Sequence, residues 1–88
     1  MSTSESFIGL VNRMDDSFIR NNAYMVSKNL TARALKNVDP AAQEKIFRNL
    51  PETEVEAIKK LMADLGTISI GDIEAAQREI LSMAQPYV

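Results

Sequence analysis

The sequence predicts an all-α fold, a single compact domain of about six short helices. Three observations carry that expectation. Apolar residues recur at spacings of three and four along most of the 88-residue chain, the period of a helix with one buried face. The few glycines (Gly9, Gly66, Gly71) and prolines (Pro40, Pro51, Pro86) mostly stand where that period breaks. No stretch alternates as a half-buried strand does. Thr67-Ile68-Ser69-Ile70 comes nearest, but it is only a joint between two well-marked helices.

The first helix is expected at about 5–13, with Phe7, Ile8 and Val11 as its apolar stripe and residues 1–6 as a disordered tail ahead of a helical domain over 7–88. Asp15 or Asp16 can cap a second helix, roughly 16–26, burying Phe18, Ile19, Met25 and Val26. Ser27 can cap a third, about 28–36, through Leu30, Ala34 and Leu35. Asn37 follows it and is the best non-glycine residue for a left-handed helix end. Asp39-Pro40 combines a capping residue with a proline at the first helical position, where its missing N–H costs nothing. A fourth helix should run from there to about 49, with Ile46 and Phe47 inward and Leu50 just beyond.

Pro51 opens a fifth helix, about 51–65, with Glu52, Glu54 and Glu56 near its positive end. Val55, Ile58, Met62 and Leu65 mark its buried face, and Gly66 its end. Ser69 and Asp72 have the spacing of a capping box, so a sixth helix should occupy about 70–84 through Ile73, Ala76, Ile80 and Met83. Ile68 and Ile70 should tuck beneath it. Met14, Met25, Met62 and Met83 read as gap fillers in a core poor in aromatics.

Composition narrows the function. Cysteine and histidine are both absent. That leaves no thiolate nucleophile, no disulfide, no usual general base and no common transition-metal ligand. A binding or structural role without catalytic residues, cofactor or metal is expected, and an enzyme is not. Net charge is −2 with a pI near 5.0, which argues against nucleic acid, because phosphates call for a basic footprint. No apolar run approaches the roughly 18 residues of a membrane span, and the polar start is unlike a secretory signal. No membrane insertion and a cytoplasmic location are therefore expected. The charge is uneven: residues 1–36 carry +2 and residues 37–88 carry −4.

Four blocks stand in one register without gaps. They are Asp15-Asp16-Ser17-Phe18-Ile19, Ala34-Leu35-Lys36-Asn37, Glu44-Lys45-Ile46-Phe47-Arg48-Asn49-Leu50, and Leu65-Gly66-Thr67-Ile68-Ser69-Ile70 followed by Asp72-Ile73-Glu74-Ala75-Ala76-Gln77. With these blocks the chain, from about Phe7 to Leu81, resembles the C-terminal domain family of the flagellar motor switch protein FliG. The resemblance implies a six-helix rotor domain acting in motility, by protein–protein contact at the cytoplasmic face of the flagellar basal body. Its implied partners are flagellar stator or switch proteins.

In that family a ridge of charged side chains, mostly on one long helix, faces the cytoplasmic loop of the stator. Carried over by position, the ridge falls on Lys36, Thr53, Lys60, Leu61 and Ser69, the candidate partner-binding residues. Only Lys36 keeps the family's residue. Thr53 and Ser69 stand for arginines, and Lys60 and Leu61 for a pair of acids, so one position is reversed in sign. The alternative is therefore a stand-alone interaction module on the same scaffold that has lost the torque ridge. Against the family's pattern the chain would begin at this subdomain and end at Pro86-Tyr87-Val88, before the last helix is complete.

Each candidate also has a purely structural account. Lys36 suits the negative end of its helix. The charges of Glu52, Glu54, Glu56, Lys59 and Lys60 order themselves along a dipole, and Glu56–Lys60 is a favourable i,i+4 pair. Arg20, Lys28, Arg33 and Lys36 can be scattered solvated bases or a surface for an anionic partner. Leu61, beside Met62, is either an extra core contact or part of an exposed docking patch.

Overall fold

A computed structural model of the protein describes residues 2–84. Six α-helices run in order: α1 Thr3–Arg13, α2 Asp16–Asn22, α3 Lys28–Ala34, α4 Pro40–Phe47, α5 Glu52–Leu65 and α6 Ile70–Met83, with a 3-10 turn at Ala23–Met25 after α2. No strand occurs among the described residues. The centre of the fold is α3, which packs on both α5 and α6; α1 lies against α6 and α4. Phe7 and Val11, Leu30, Ala34, Leu35, Val38, Phe47, Ile58 and Ala76 form the core. Partly buried Ile46, Val55, Leu61, Met62, Leu65 and Ile80 pack around it.

The starts of the helices are closed locally. Asp15, Ser27 and Ser69 each accept a hydrogen bond from the backbone N–H three residues on, satisfying a donor that has no partner inside the helix. The same device corrects the expected tail. Ser2 and Glu5 form a complete capping box, which starts α1 at Thr3 inside the stretch 1–6. Leu10 then joins Phe7 and Val11 on the buried stripe. Asp39 departs from expectation in the other direction. It has the extended backbone of a cap, but its side chain makes no capping bond, and Pro40 alone marks the start of α4. Pro51 is the residue before α5 rather than its first turn.

The ends of the helices are closed at a distance. The Met62 carbonyl in the last turn of α5 accepts from the Lys36 Nζ at 2.9 Å. The Asn12 carbonyl at the end of α1 accepts from Lys45 Nζ at 3.1 Å. The Ala34 carbonyl ending α3 accepts from Gln77 Nε2 at 2.9 Å, and the next, of Leu35, from Gln43 Nε2 at 2.7 Å. These last-turn carbonyls need partners from outside the helix, and neighbouring helices supply them.

Gly66 is the exception, since it closes α5 with its own backbone. It has φ +59° and ψ −142°, a region that a side chain makes costly. Asn37 does not take the expected left-handed conformation; among the described residues Gly66 alone has positive φ. The chain instead leaves α3 through i→i+3 bonds, Lys36 N–H to Arg33 and Val38 N–H to Leu35, the tightening usual at helix ends. The Asn37 side chain accepts weakly from Gln77 Nε2 at 3.4 Å.

The second helix is shorter than its apolar pattern suggests. Asn22 turns its side-chain amide back to the Phe18 carbonyl at 2.9 Å, a bond that competes with regular helix, and the chain tightens into the 3-10 turn. Met25 is therefore 55% exposed rather than core, and Tyr24 is 82% exposed. Ile70 is 63% exposed and does not tuck under α6; Ile68 is the half-buried one. Met83 is exposed too, whereas Met14 and Met62 pack on the core as expected.

Candidate functional site

Of the five positions on which the ridge falls, Thr53, Lys60 and Leu61 lie along α5, while Lys36 and Ser69 stand at its C-terminal end. Thr53 and Lys60 lie seven residues apart on α5, so they share a face two turns apart, about 10 Å along the axis. Both are exposed. Leu61 is rotated by about 100° from Lys60 and is half-buried against the core. It is a core contact at the edge of the face rather than a free apolar patch. Lys36 reaches the far end of α5 through its bond to the Met62 carbonyl. There its ammonium meets both an unpaired carbonyl and the negative end of a dipole. The sequence placed this role at the end of Lys36's own helix; the structure places it at the end of another.

Ser69 stands beyond the Gly66 turn, where its hydroxyl accepts from the Asp72 N–H at 3.1 Å. It is an exposed cap for α6. Glu56 and Lys60 do not form an ion pair in the structure; Asp16 and Arg48 do. Lys59 turns away from this face and sets its Nζ 5.3 Å from the centroid of the Phe47 ring, a cation–π contact tying α5 to α4. The exposed charges of this face of α5 are thus Lys60 and the flanking acids Glu52 and Glu56.

Two polar joints hold the helices that present this face. Gln77 is fully buried. It donates to Ala34 and accepts from the Ser4 hydroxyl at 3.0 Å, joining α6 to α3 and α1. Asn49 is buried as well. It donates to Asp16 at 3.1 Å and to the Lys45 carbonyl at 2.8 Å, and accepts from Arg20 at 3.3 Å. Arg48 Nη2 meets both oxygens of Asp16, at 3.0 and 3.2 Å. These hydrogen bonds from Arg48 and then Asn49 hold the Asp16 carboxyl below its ordinary 3.8. Asp16, Arg48, Asn49 and Gln77 all belong to the quoted sequence blocks. Their reason for standing there is structural: each block supplies half of a joint.

The comparison with known proteins is consistent with this geometry. The family model described as the FliG C-terminal domain matches residues 6–87. The chain belongs to the FliG C-terminal domain family. It is 36% identical over 72 residues to the flagellar motor switch protein FliG of Vibrio cholerae, covering 82% of this chain and 21% of that protein. The FliG proteins of Pseudomonas aeruginosa and Borreliella burgdorferi are 32% and 34% identical, over 82% and 80% of this chain and 21% and 20% of theirs. The chain thus spans about a fifth of the length of these FliG relatives. Among the described residues no helix is long and apolar enough to cross a membrane, and no cluster of acids could hold a metal ion.

Proposed function

We propose that the chain is a rotor-side component of the flagellar motor switch, working by protein–protein contact without catalytic turnover, cofactor or metal. The match to the FliG C-terminal domain over residues 6–87 carries this reading. The contact face is the exposed side of α5 with Thr53 and Lys60, bounded by Lys36 and Ser69, with Leu61 beneath its edge. The partner is a flagellar stator or switch protein, met at the cytoplasmic side of the basal body. Nucleic acid is not the partner, because the domain is acidic overall.

The resemblance puts acids at positions 60 and 61, so a stator loop suited to those acids meets a like charge at Lys60. Complementarity acts by sign. Lys60→Asp should therefore tighten binding to the cytoplasmic loop of the stator in a titration. It should leave stability within about 0.5 kcal/mol, as exposed changes usually do. Weaker binding by the variant would mean that the partner's matching surface is acidic. Equal affinity of the parent, Lys60→Asp and Leu61→Asp would remove this face from the contact.

A further inference from the structure

Away from the exposed α5 face, the fold leaves an apolar groove of about 560 Å³ between α1, α2, the 3-10 turn, α3 and the end of α6, reaching Ile46 and Leu50 and the inner side of α5 at Glu54 and Ile58. Its floor is core, with Phe7, Val11 and Leu35 fully or nearly fully buried. Its exposed rim is Tyr24, Met25, Ser27, Lys28 and Met83. None of Lys36, Thr53, Lys60, Leu61 or Ser69 lines it. Single exposed apolar side chains need no explanation, but a contiguous patch marks an interaction site. Here three of the four most exposed large apolar side chains among the described residues, Tyr24, Met25 and Met83, ring one groove.

We propose that this groove docks an amphipathic helix of a partner protein whose apolar stripe is flanked by acidic side chains. The apolar floor takes the stripe, as in helix-in-groove recognition generally. Methionines on two sides of the rim can reshape to fit it, and Tyr24 offers both a ring and a hydroxyl. Charge selects the flank. From Ser17 to Val38, which includes one whole wall of the groove, the chain carries Arg20, Lys28, Arg33 and Lys36 and no acid, and of these bases Lys28 lines the groove. Lys28 is the exposed charge of the lining and makes no ion pair among the described residues. The one acid of the lining, Glu54, is half-buried in the first turn of α5, where the helix dipole suits it. A partner with carboxylates beside its stripe is attracted at this rim, and one with lysines is repelled.

The test uses the full 88-residue chain and a dye-labelled synthetic helical peptide with a Leu/Met stripe flanked by glutamates. Two controls are the same peptide with lysines for glutamates and a scrambled sequence. In anisotropy titrations the acidic peptide should bind at least about tenfold tighter than either control, by the usual weight of one well-placed charge and a matched stripe. Met25→Glu should weaken it about tenfold or more, and Lys28→Glu should reverse the preference between acidic and basic peptides. Lys60→Asp, on the other face, should change nothing. Backbone amide shifts on peptide addition should fall in α2, the 3-10 turn and the start of α3. Equal binding of acidic and basic peptides, or shifts centred on α5, would overturn the proposal. So would self-association abolished by Met25→Glu, which would make a second copy the occupant. Binding that appears only once residues 85–88 are deleted would assign the groove to the chain's own end and overturn it too.

Discussion

The body formed by α3, α5 and α6 and the arm formed by α2 with its 3-10 turn are built on different principles. In the body, helix lies on helix, and Leu35, Ile58 and Ala76 are almost wholly buried among one another's neighbours. Among the described helices, the arm packs most closely with the turn that continues it. It is tied to the rest by Ile19, by the Asp16 and Arg20 side chains, and across an open groove. A body held by close packing has one arrangement, since a void or a bulge is felt at once. An arm held by one buried isoleucine and a few partly exposed polar bonds opens at lower free energy than the whole, as local segments with few buried contacts do. The same domain can thus hold a rigid α5 face and a groove with an adjustable wall.

The largest expected difference between the two regions is the response to truncation. Ile58→Ala should cost about 2–5 kcal/mol, because α3 and α5 cannot close over the cavity. Ile19→Ala removes an equally large side chain that is also buried; both line the groove, but Ile58 is held between the closely packed α3 and α5, whereas α2 packs mainly against its own 3-10 turn. Its cost should fall at or below the low end of that range, since cost scales with the cavity left behind. Urea unfolding of both variants measures this. Equal losses would show that the arm is as tightly packed as the body.

Next in size is the buried joint of the body. Gln77→Ala leaves the Ala34 carbonyl without its side-chain donor and the Ser4 hydroxyl without its acceptor. A buried polar group stripped of its partner costs about 1–3 kcal/mol. Gln77→Glu is the sharper probe. It keeps the size and the acceptor for Ser4 but presents a carboxylate to a carbonyl, so it should destabilise at neutral pH and recover in part on acidification. A Gln77→Glu variant as stable as the parent at pH 7 would mean that packing alone joins α6 to α3.

How far these features could be read beforehand depends on how local they are. All six helices were legible, because periodicity and N-terminal caps are written in adjacent residues, as at Asp15, Ser27 and Ser69. The carbonyl ends were not, because their partners lie far along the chain. Lys36 and Met62 are 26 positions apart, and Gln77 and Ala34 are 43 apart. Nothing in the local spacing says that they meet. Met25 and Ile70 were misplaced for a related reason. Both fit a helical stripe, but the helix ends before Met25 and begins at Ile70, and an end turns its side chains out of the period. Of the site, the helix and its positions were legible, including the edge position of Leu61. The bond of Lys36 to the end of α5 was not, since a resemblance names positions without saying what each side chain holds.

Smaller again is the change at the joint leading out of α5. An ideal Cβ on Gly66 would meet no atom within 4 Å, so a side chain there costs conformation and nothing else. Gly66→Val should lose about 1–3 kcal/mol, the scale of a residue forced into a sparsely populated region. Gly66→Asn should recover little of it, because asparagine tolerates the left-handed helical well but the ψ of −142° lies outside that well. Thermal unfolding of the two variants checks the order. An asparagine variant close to the parent would show that the chain can relax into a left-handed end.

The smallest effect belongs to the arm and is expected to show as a local change rather than as global stability. Hydrogen bonds from Arg48 and then Asn49 depress the Asp16 carboxyl below 3.8. A carboxyl lowered in the native state stabilises that state fully above its unfolded value, near 3.9, and ceases to as pH falls through the lower native value. The contribution is therefore intact at neutral pH and disappears in the acid range below about pH 4. Arg48 and Asp16 are both about half exposed, so water and salt screen the pair, and its loss should leave the body folded. Amide signals of α2 and the 3-10 turn should shift through that range while those of α3 and α5 hold still. Asp15 caps α2 from its own end and is no part of this joint, so Asp16→Asn isolates the joint. In that variant the step attributable to the joint should be gone and the arm should exchange its amides faster at pH 7. If the arm of Asp16→Asn instead keeps the parent's exchange rates at neutral pH, the polar joint does not hold it, and Ile19 with the groove wall must do so alone.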